Sequence, residues 1–230
     1  MNFKIIGAIF YKQIKDIAKN KTVLLQYFAF PVIAFVMSMV IPDDIMKEGI
    51  VTIFASMFVI MIPLLSISNV IAEEKEKNTL LALKFAYVTP MEYIIGVGLF
   101  VFLCSFVDFW LFAFMLNVGW VAKLKFVLIL LSGLLPSMIL GAFLGILSKN
   151  LMSVSSFVSP ISIILSMLPV LSAYNEDLHN VTKYVYSQQV SDLLTNLQSS
   201  IQIESIVIIF ANLFIFLLLF IFGFRKKGLY

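Results

Sequence analysis

The chain has 230 residues, 61% of them hydrophobic and only 13% charged, with a mean hydropathy of +1.04. A soluble domain is roughly 45–50% apolar and about 25% charged, so this composition excludes a single aqueous globule and specifies an integral membrane protein. The net charge of +3 is mild, and the lone Cys104 and lone His179 exclude an intrachain disulfide, a multi-cysteine metal site and a two-histidine zinc motif.

Residues 1–21 are predicted to form an interfacial helix. At 100° per residue with Lys4 at zero, Lys12, Lys15 and Lys19 fall at about 80°, 20° and 60°. Phe3, Ile6, Phe10, Ile14 and Ile17 occupy roughly 200–280° on the same wheel. Such a basic amphipathic helix suits the membrane surface, because nothing else nearby in sequence covers its apolar arc. No apolar h-region precedes a small-residue cleavage site, so the segment does not read as a signal peptide.

Six segments are apolar enough over about 20 residues to span a bilayer. They are Val23–Ile41, Ile50–Ile71, Ile94–Val118, Phe126–Leu147, Leu151–Ala173 and Ile201–Phe224. The fold class expected is an all-α membrane protein, a single six-helix transmembrane domain. Between the spans, Lys4, Lys12, Lys15, Lys19, Lys21, Lys75, Lys77, Lys84, Lys149, Arg225, Lys226 and Lys227 fall on one side; Lys47, Lys123, Lys125 and Lys183 fall on the other. The positive-inside rule makes the lysine-rich side cytoplasmic, with both termini there.

Segment 72–93 joins spans 2 and 3 and is dense in charge. Ile71–Lys77 extends the second span, with Glu73 and Lys77 at i, i+4. Asn78 tolerates a left-handed backbone, and Thr79 is placed to cap a short helix over Leu80–Tyr87. Thr89, Pro90 and Glu92 then supply an N-cap, an N1 proline and an N3 carboxylate, a capping box that opens the third span. The segment therefore reads as helix, break, short helix, break, helix.

Later features are sparser. Asp108, in CSFVDFW, lies mid-span, where a charge is costly; it is a candidate lining residue of a substrate cavity, or a carboxyl bonded to a neighbour such as Ser105. Gly141 and Gly145 form a GxxxG pair suited to close helix packing. In the segment 172–200, Val190, Leu193, Leu194, Leu197 and Ile201 keep helical apolar spacing, which predicts one or two short helices lying on the outer mouth of the bundle. Glu204 reads as an interfacial or capping residue at the start of the last span.

The run Glu-Lys-Glu-Lys-Asn-Thr-Leu at 74–80, then Thr-Pro at 89–90 and Glu-Tyr-Ile-Ile-Gly at 92–96, resembles the E-K-E-x-G-T-L … T-P signature of ABC-2-type transporter permeases, small six-span peptide-toxin exporters and bacteriocin-immunity permeases among them. The chain departs from that pattern at Asn78, in place of Gly, and at Val97, where a Lys is common. The resemblance implies that 72–93 is a coupling helix seated on a separate ABC ATPase present in two copies, with Glu74, Glu76, Thr79 and Leu80 touching it or orienting the helix against it. It also implies a second permease chain, identical or related, and a bacterial cell-membrane location. The cargo implied is an amphipathic or hydrophobic molecule such as a peptide toxin or antimicrobial peptide. The chain has no GxxxxGK[ST] loop, so it is expected to be no enzyme itself and to hold no cofactor, with ATP and magnesium bound by the partner ATPase. An energy-independent channel or immunity protein is the alternative. An intramembrane protease is disfavoured, since Glu73-Glu74 and one His are too few ligands.

Overall fold

The computed structural model describes residues 2–199 and 202–227, and all regular structure in it is helical. In chain order the helices are α1 (Phe3–Lys19), α2 (Lys21–Val40), α3 (Asp44–Glu76), α4 (Thr79–Phe85), α5 (Pro90–Met115), α6 (Trp120–Leu147), α7 (Leu151–Ser153), α8 (Ser159–Ser172), α9 (Glu176–Thr182), α10 (Tyr186–Thr195) and α11 (Ile203–Lys227). A π-turn over Val154–Val158 links α7 to α8. It stands just before Pro160, whose missing amide interrupts the i→i−4 ladder.

Six stretches have the length and hydropathy to cross a membrane: Val23–Val40, Asp44–Glu76, Pro90–Met115, Trp120–Leu147, Leu151–Ser172 and Ile203–Lys226. The chain is a multi-pass membrane protein. The second of these runs 33 residues, starting six residues before the expected span because Asp43 caps it through the amides of Ile45 and Met46. Ile201, expected to open the last span, lies outside the described residues.

The long helices α3 and α6 form the centre, packed along their lengths. Gly141 and Gly145 make this possible. A Cβ added at Gly141 would stand 2.5 Å from the Leu64 carbonyl oxygen and 2.8 Å from its Cα; one at Gly145 would stand 3.0 Å from the Ser68 Cα. Ser68 donates to the Gly141 carbonyl at 2.8 Å across the same seam. The GxxxG pair thus serves an intrachain contact. Outward faces of α2, α5, α8 and α11 carry exposed Phe35, Leu103, Ile164 and Phe214, the surface expected of lipid-facing helices.

The segment between α8 and α11 corrects an expectation. It forms two short helices, but α10 enters the bundle instead of lying across its mouth. Tyr186 is fully buried, and its hydroxyl meets Ser137 Oγ, past the midpoint of α6, at 3.0 Å. Val190 rests where Gly133 leaves room; a Cβ there would be 2.9 Å from its methyl. Asn212 of α11 donates to the Tyr184 carbonyl at 2.9 Å, holding the turn that precedes α10. Polar residues that suggested a solvated face are spent internally: Gln188 accepts from Ser172 at 2.6 Å and donates to Asp192 at 2.8 Å. Ile201, assigned to the same apolar stripe, lies outside the described residues.

Candidate functional site

On the lysine-rich face, α1, the end of α3, α4 and the start of α5 form one braced unit. Helix α1 presents three sides. Ile6, Ile9 and Gln13 are buried, at about 200°, 140° and 180° on the wheel used above. Gly96 of α5 permits the close approach, since a Cβ there would stand 2.7 Å from Ile9. Phe3 and Ile14 remain exposed, so part of the expected apolar arc does face outward while a neighbouring strip packs on protein. The sequence-based reasoning that nothing nearby covers α1 missed α5, which is remote in sequence.

The capping box at the start of α5 is complete. Thr89 N–H and Oγ1 donate to Glu92 Oε2 at 3.0 and 2.8 Å, and the Glu92 amide donates back to Thr89 Oγ1 at 3.4 Å. Pro90 occupies N1. The other oxygen, Glu92 Oε1, accepts from the Asn2 amide at 2.6 Å. One carboxylate therefore ties the start of α1 to the start of α5.

A second carboxylate ties α1 to α3. Glu74 is 5% exposed, and its Oε1 accepts from Lys12 Nζ at 2.5 Å and Gln13 Nε2 at 3.0 Å. Its neighbours in sequence behave differently. Glu73 pairs with Lys77 at i, i+4 on the exposed side, and this contact raises the Lys77 ammonium above its usual range. Glu76 accepts from the Leu151 amide at 3.0 Å, at the start of α7. Lys75 donates to the Ile146 carbonyl at 2.6 Å and to those of Gly145 and Ser148, closing the end of α6.

Asn78 takes the left-handed backbone expected of it, with φ 55°. Thr79 departs from its expected role: it is the first residue of α4, and its hydroxyl donates to the Glu74 carbonyl at 3.0 Å. That is the bond a C″ amide makes in a Schellman ending, here supplied by a side chain. Helix α4 also ends earlier than expected. Tyr87 is left-handed with φ 57°, its amide donating to Lys84 O and that of Val88 to Leu83 O, a complete Schellman motif. Leu83 and Val88 belong to one apolar cluster with Leu80, Ile9 and Tyr93.

Tyr87 is 90% exposed, and an L-residue in this region costs about 1–2 kcal/mol. Replacing Tyr87 with Gly is expected to stabilise the fold by roughly 0.5–1 kcal/mol after the glycine entropy cost. A thermal scan in detergent checks this by an upward shift of the midpoint, and a downward shift would contradict it.

Of the residues singled out in the elbow, Glu74 and Leu80 therefore point inward, Leu80 being 2% exposed. Thr79 is half-buried and Glu76 exposed. The outward surface of the elbow is apolar instead: Leu81, Phe85 (81% exposed) and Tyr87, beside the exposed Lys84. These residues went unremarked in the sequence, although Leu81 and Phe85 share the i, i+4 spacing of one helix face.

Asp108 faces the bundle interior at 1% exposure, on the α5 face that also buries Ser105, Phe109 and Phe112. Neither carboxyl oxygen meets a donor among the described residues, and Ser105 Oγ does not reach it. Nor does Asp108 line any of the large cavities described. Phe58 of α3 packs edge-on to Phe109 and Phe112 and closes that side of the helix. Of the two roles expected for Asp108, the bond to Ser105 is not formed.

No family model, no curated protein and no solved structure matches this chain. What the elbow does must be argued from its own geometry.

Proposed function

We propose that this chain is the membrane half of an ATP-driven exporter, with ATP hydrolysed by a separate P-loop subunit that seats on α4. The observation that carries this reading is the form of the elbow: a short helix braced from behind and apolar in front. Leu80, the Thr79–Glu74 bond and the Lys12–Gln13–Glu74 cluster fix its inner side. Leu81, Phe85 and Tyr87 stand outward, beyond the end of α3. A solvated connector has no need of such a face, and exposed apolar patches rimmed by charge mark partner surfaces. A rigid lever also transmits a push that a flexible loop would absorb.

On this reading the lysine-rich face is cytoplasmic, and two such chains pair to complete a twelve-span transporter in a bacterial cell membrane. The cargo proposed is an amphipathic or hydrophobic molecule, an amphipathic peptide in the first instance. The resemblance of residues 74–96 to ABC-2 permeases supports the same assignment. Glu74, Glu76 and Thr79 orient the handle, while Leu81 and Phe85 make the contact.

Affinity purification from native membranes, with the retained proteins identified by mass spectrometry, tests the reading. An ATPase carrying a GxxxxGK[ST] loop is expected to co-purify with wild-type chain. Leu81→Ala combined with Phe85→Ala is expected to reduce its recovery at least about tenfold, since buried apolar anchors dominate interfaces. Both side chains are exposed, so the permease itself stays folded. Recovery of no such ATPase by the wild type, or equal recovery by the variant, would overturn it.

A further inference from the structure

On the face opposite the elbow lies a cavity of about 670 Å³, within the size range of small-ligand sites. Its walls come from four places: the first turns of α3, the end of α5, the end of α8, and the end of α10 with the turn that follows. Leu116, Leu194, Pro169 and Ile53 supply apolar surface, and Thr195, Asn196 and Gln198 a polar rim.

The charge in this cavity is one-sided. Among the described residues Glu48 is the only charged one lining it, and no ion pair joins it there. Neighbouring Lys47 is engaged with Asp44 at 2.8 Å. Lys125 is not among the lining residues, but it donates to the carbonyls of Leu197 and Ser199 in the cavity wall. Three helix ends also converge here: Leu116, Ala173 and Asn196, the C-caps of α5, α8 and α10, all line the cavity. A helix C-terminus carries partial negative charge. Helix α3 presents its opposite, positive end nearby, but Asp43 and Asp44 already stand there.

From this we infer that the cavity binds a cationic amphiphile: an ammonium or guanidinium group against Glu48 and the helix C-termini, with an adjoining apolar chain on Leu116, Leu194 and Ile53. An anionic or purely apolar ligand would leave the Glu48 carboxylate without a counterpart. The inference belongs to this chain alone and does not depend on an ATPase partner.

The test uses purified full-length chain in lipid nanodiscs and two fluorescent probes, N-dansyl-Leu-Lys-Leu amide and N-dansyl-Leu-Gln-Leu amide, followed by polarisation. The wild type is expected to bind the lysine probe roughly tenfold more tightly than the glutamine probe. Glu48→Gln is expected to erase that preference by weakening the lysine probe alone. Gly49→Trp, at a lining position where an added Cβ meets nothing within 4 Å, is expected to weaken both probes by occupying the cavity. Equal binding of the two probes by the wild type, or an undiminished preference in Glu48→Gln, would overturn the inference. Because Glu48→Gln changes no packing volume, it decides the matter even if Gly49→Trp proves unstable.

Discussion

Replacing Gly141 with Ala is expected to destabilise the protein by about 2–4 kcal/mol, and Gly141→Leu to prevent assembly of the bundle. The reason is which atoms stand in the way. The added methyl would meet the backbone of Leu64, its carbonyl oxygen at 2.5 Å and its Cα at 2.8 Å, and backbone inside a packed helix cannot rotate aside. Separating α3 from α6 would also stretch the Ser68–Gly141 hydrogen bond and loosen the central seam around which the other spans are arranged. Other glycines supply a graded comparison. At Gly133 the obstacle is a Val190 methyl at 2.9 Å, a side chain that can adjust, so Gly133→Ala should cost less. At Gly7, in the middle of α1, nothing lies within 4 Å, and Ala there should be neutral or stabilising by roughly 0.5–1 kcal/mol. Thermal unfolding in detergent, with gel filtration to score monodispersity, should rank the three variants in that order. A Gly141→Ala protein that melts with the wild type would contradict the account of the seam.

The second large effect separates two glutamates that are indistinguishable by eye in the run Glu74-Lys75-Glu76. Glu74→Ala is expected to cost about 2–3 kcal/mol and to loosen α1, whereas Glu76→Ala should cost no more than about 1 kcal/mol. Removing the Glu74 carboxylate strands the buried Gln13 amide and leaves Lys12 with only Asp16, at 3.9 Å, among the described carboxylates. Lys12 is part-exposed and finds water, so the full penalty of an unpaired buried charge does not apply. Glu76 faces solvent and holds one amide of α7. Proteolysis at the α1–α2 junction, around Asn20, reads the difference: accelerated cleavage in Glu74→Ala and wild-type rates in Glu76→Ala. Equal rates in both would mean that the inner brace carries no weight. On the proposed function, Glu74→Ala should also weaken ATPase stimulation although Leu81 and Phe85 remain in place, because a handle without its brace transmits less.

Local signals carried much of this structure. The six spans follow from hydropathy over about 20 residues, and the breaks at Asn78 and Thr89 follow from residue types with one dominant local use. The Thr89–Glu92 box is legible because both partners lie within one helical turn. What was not legible depends on distance along the chain. Glu74 meets Lys12 across 62 residues, Glu92 meets Asn2 across 90, and Tyr186 meets Ser137 across 49; no periodicity encodes such pairings. Helix α10 shows the cost most clearly. Its serines and glutamines suggested a wet surface, yet in the bundle Gln188 bonds Ser172 and Asp192 and Gln189 donates to the Lys183 carbonyl. Asp108 shows the same limit: sequence located a carboxyl at membrane depth, but whether a cavity reaches it depends on where Phe58 packs.

The elbow changes meaning in the same way. Its charges drew attention in the sequence, yet Glu74, Lys75 and Glu76 are spent holding α1, α6 and α7, and the residues left free to meet a partner are the apolar Leu81, Phe85 and Tyr87. The most direct test is a photo-crosslinking amino acid placed at position 85 in cells, with position 99 as comparison. Leu99 is exposed within the α5 span, away from the elbow. The account predicts that position 85 crosslinks to a P-loop ATPase, in a yield that changes with nucleotide, while position 99 does not. Crosslinks from position 85 to lipid alone, or to no nucleotide-binding protein, would contradict it.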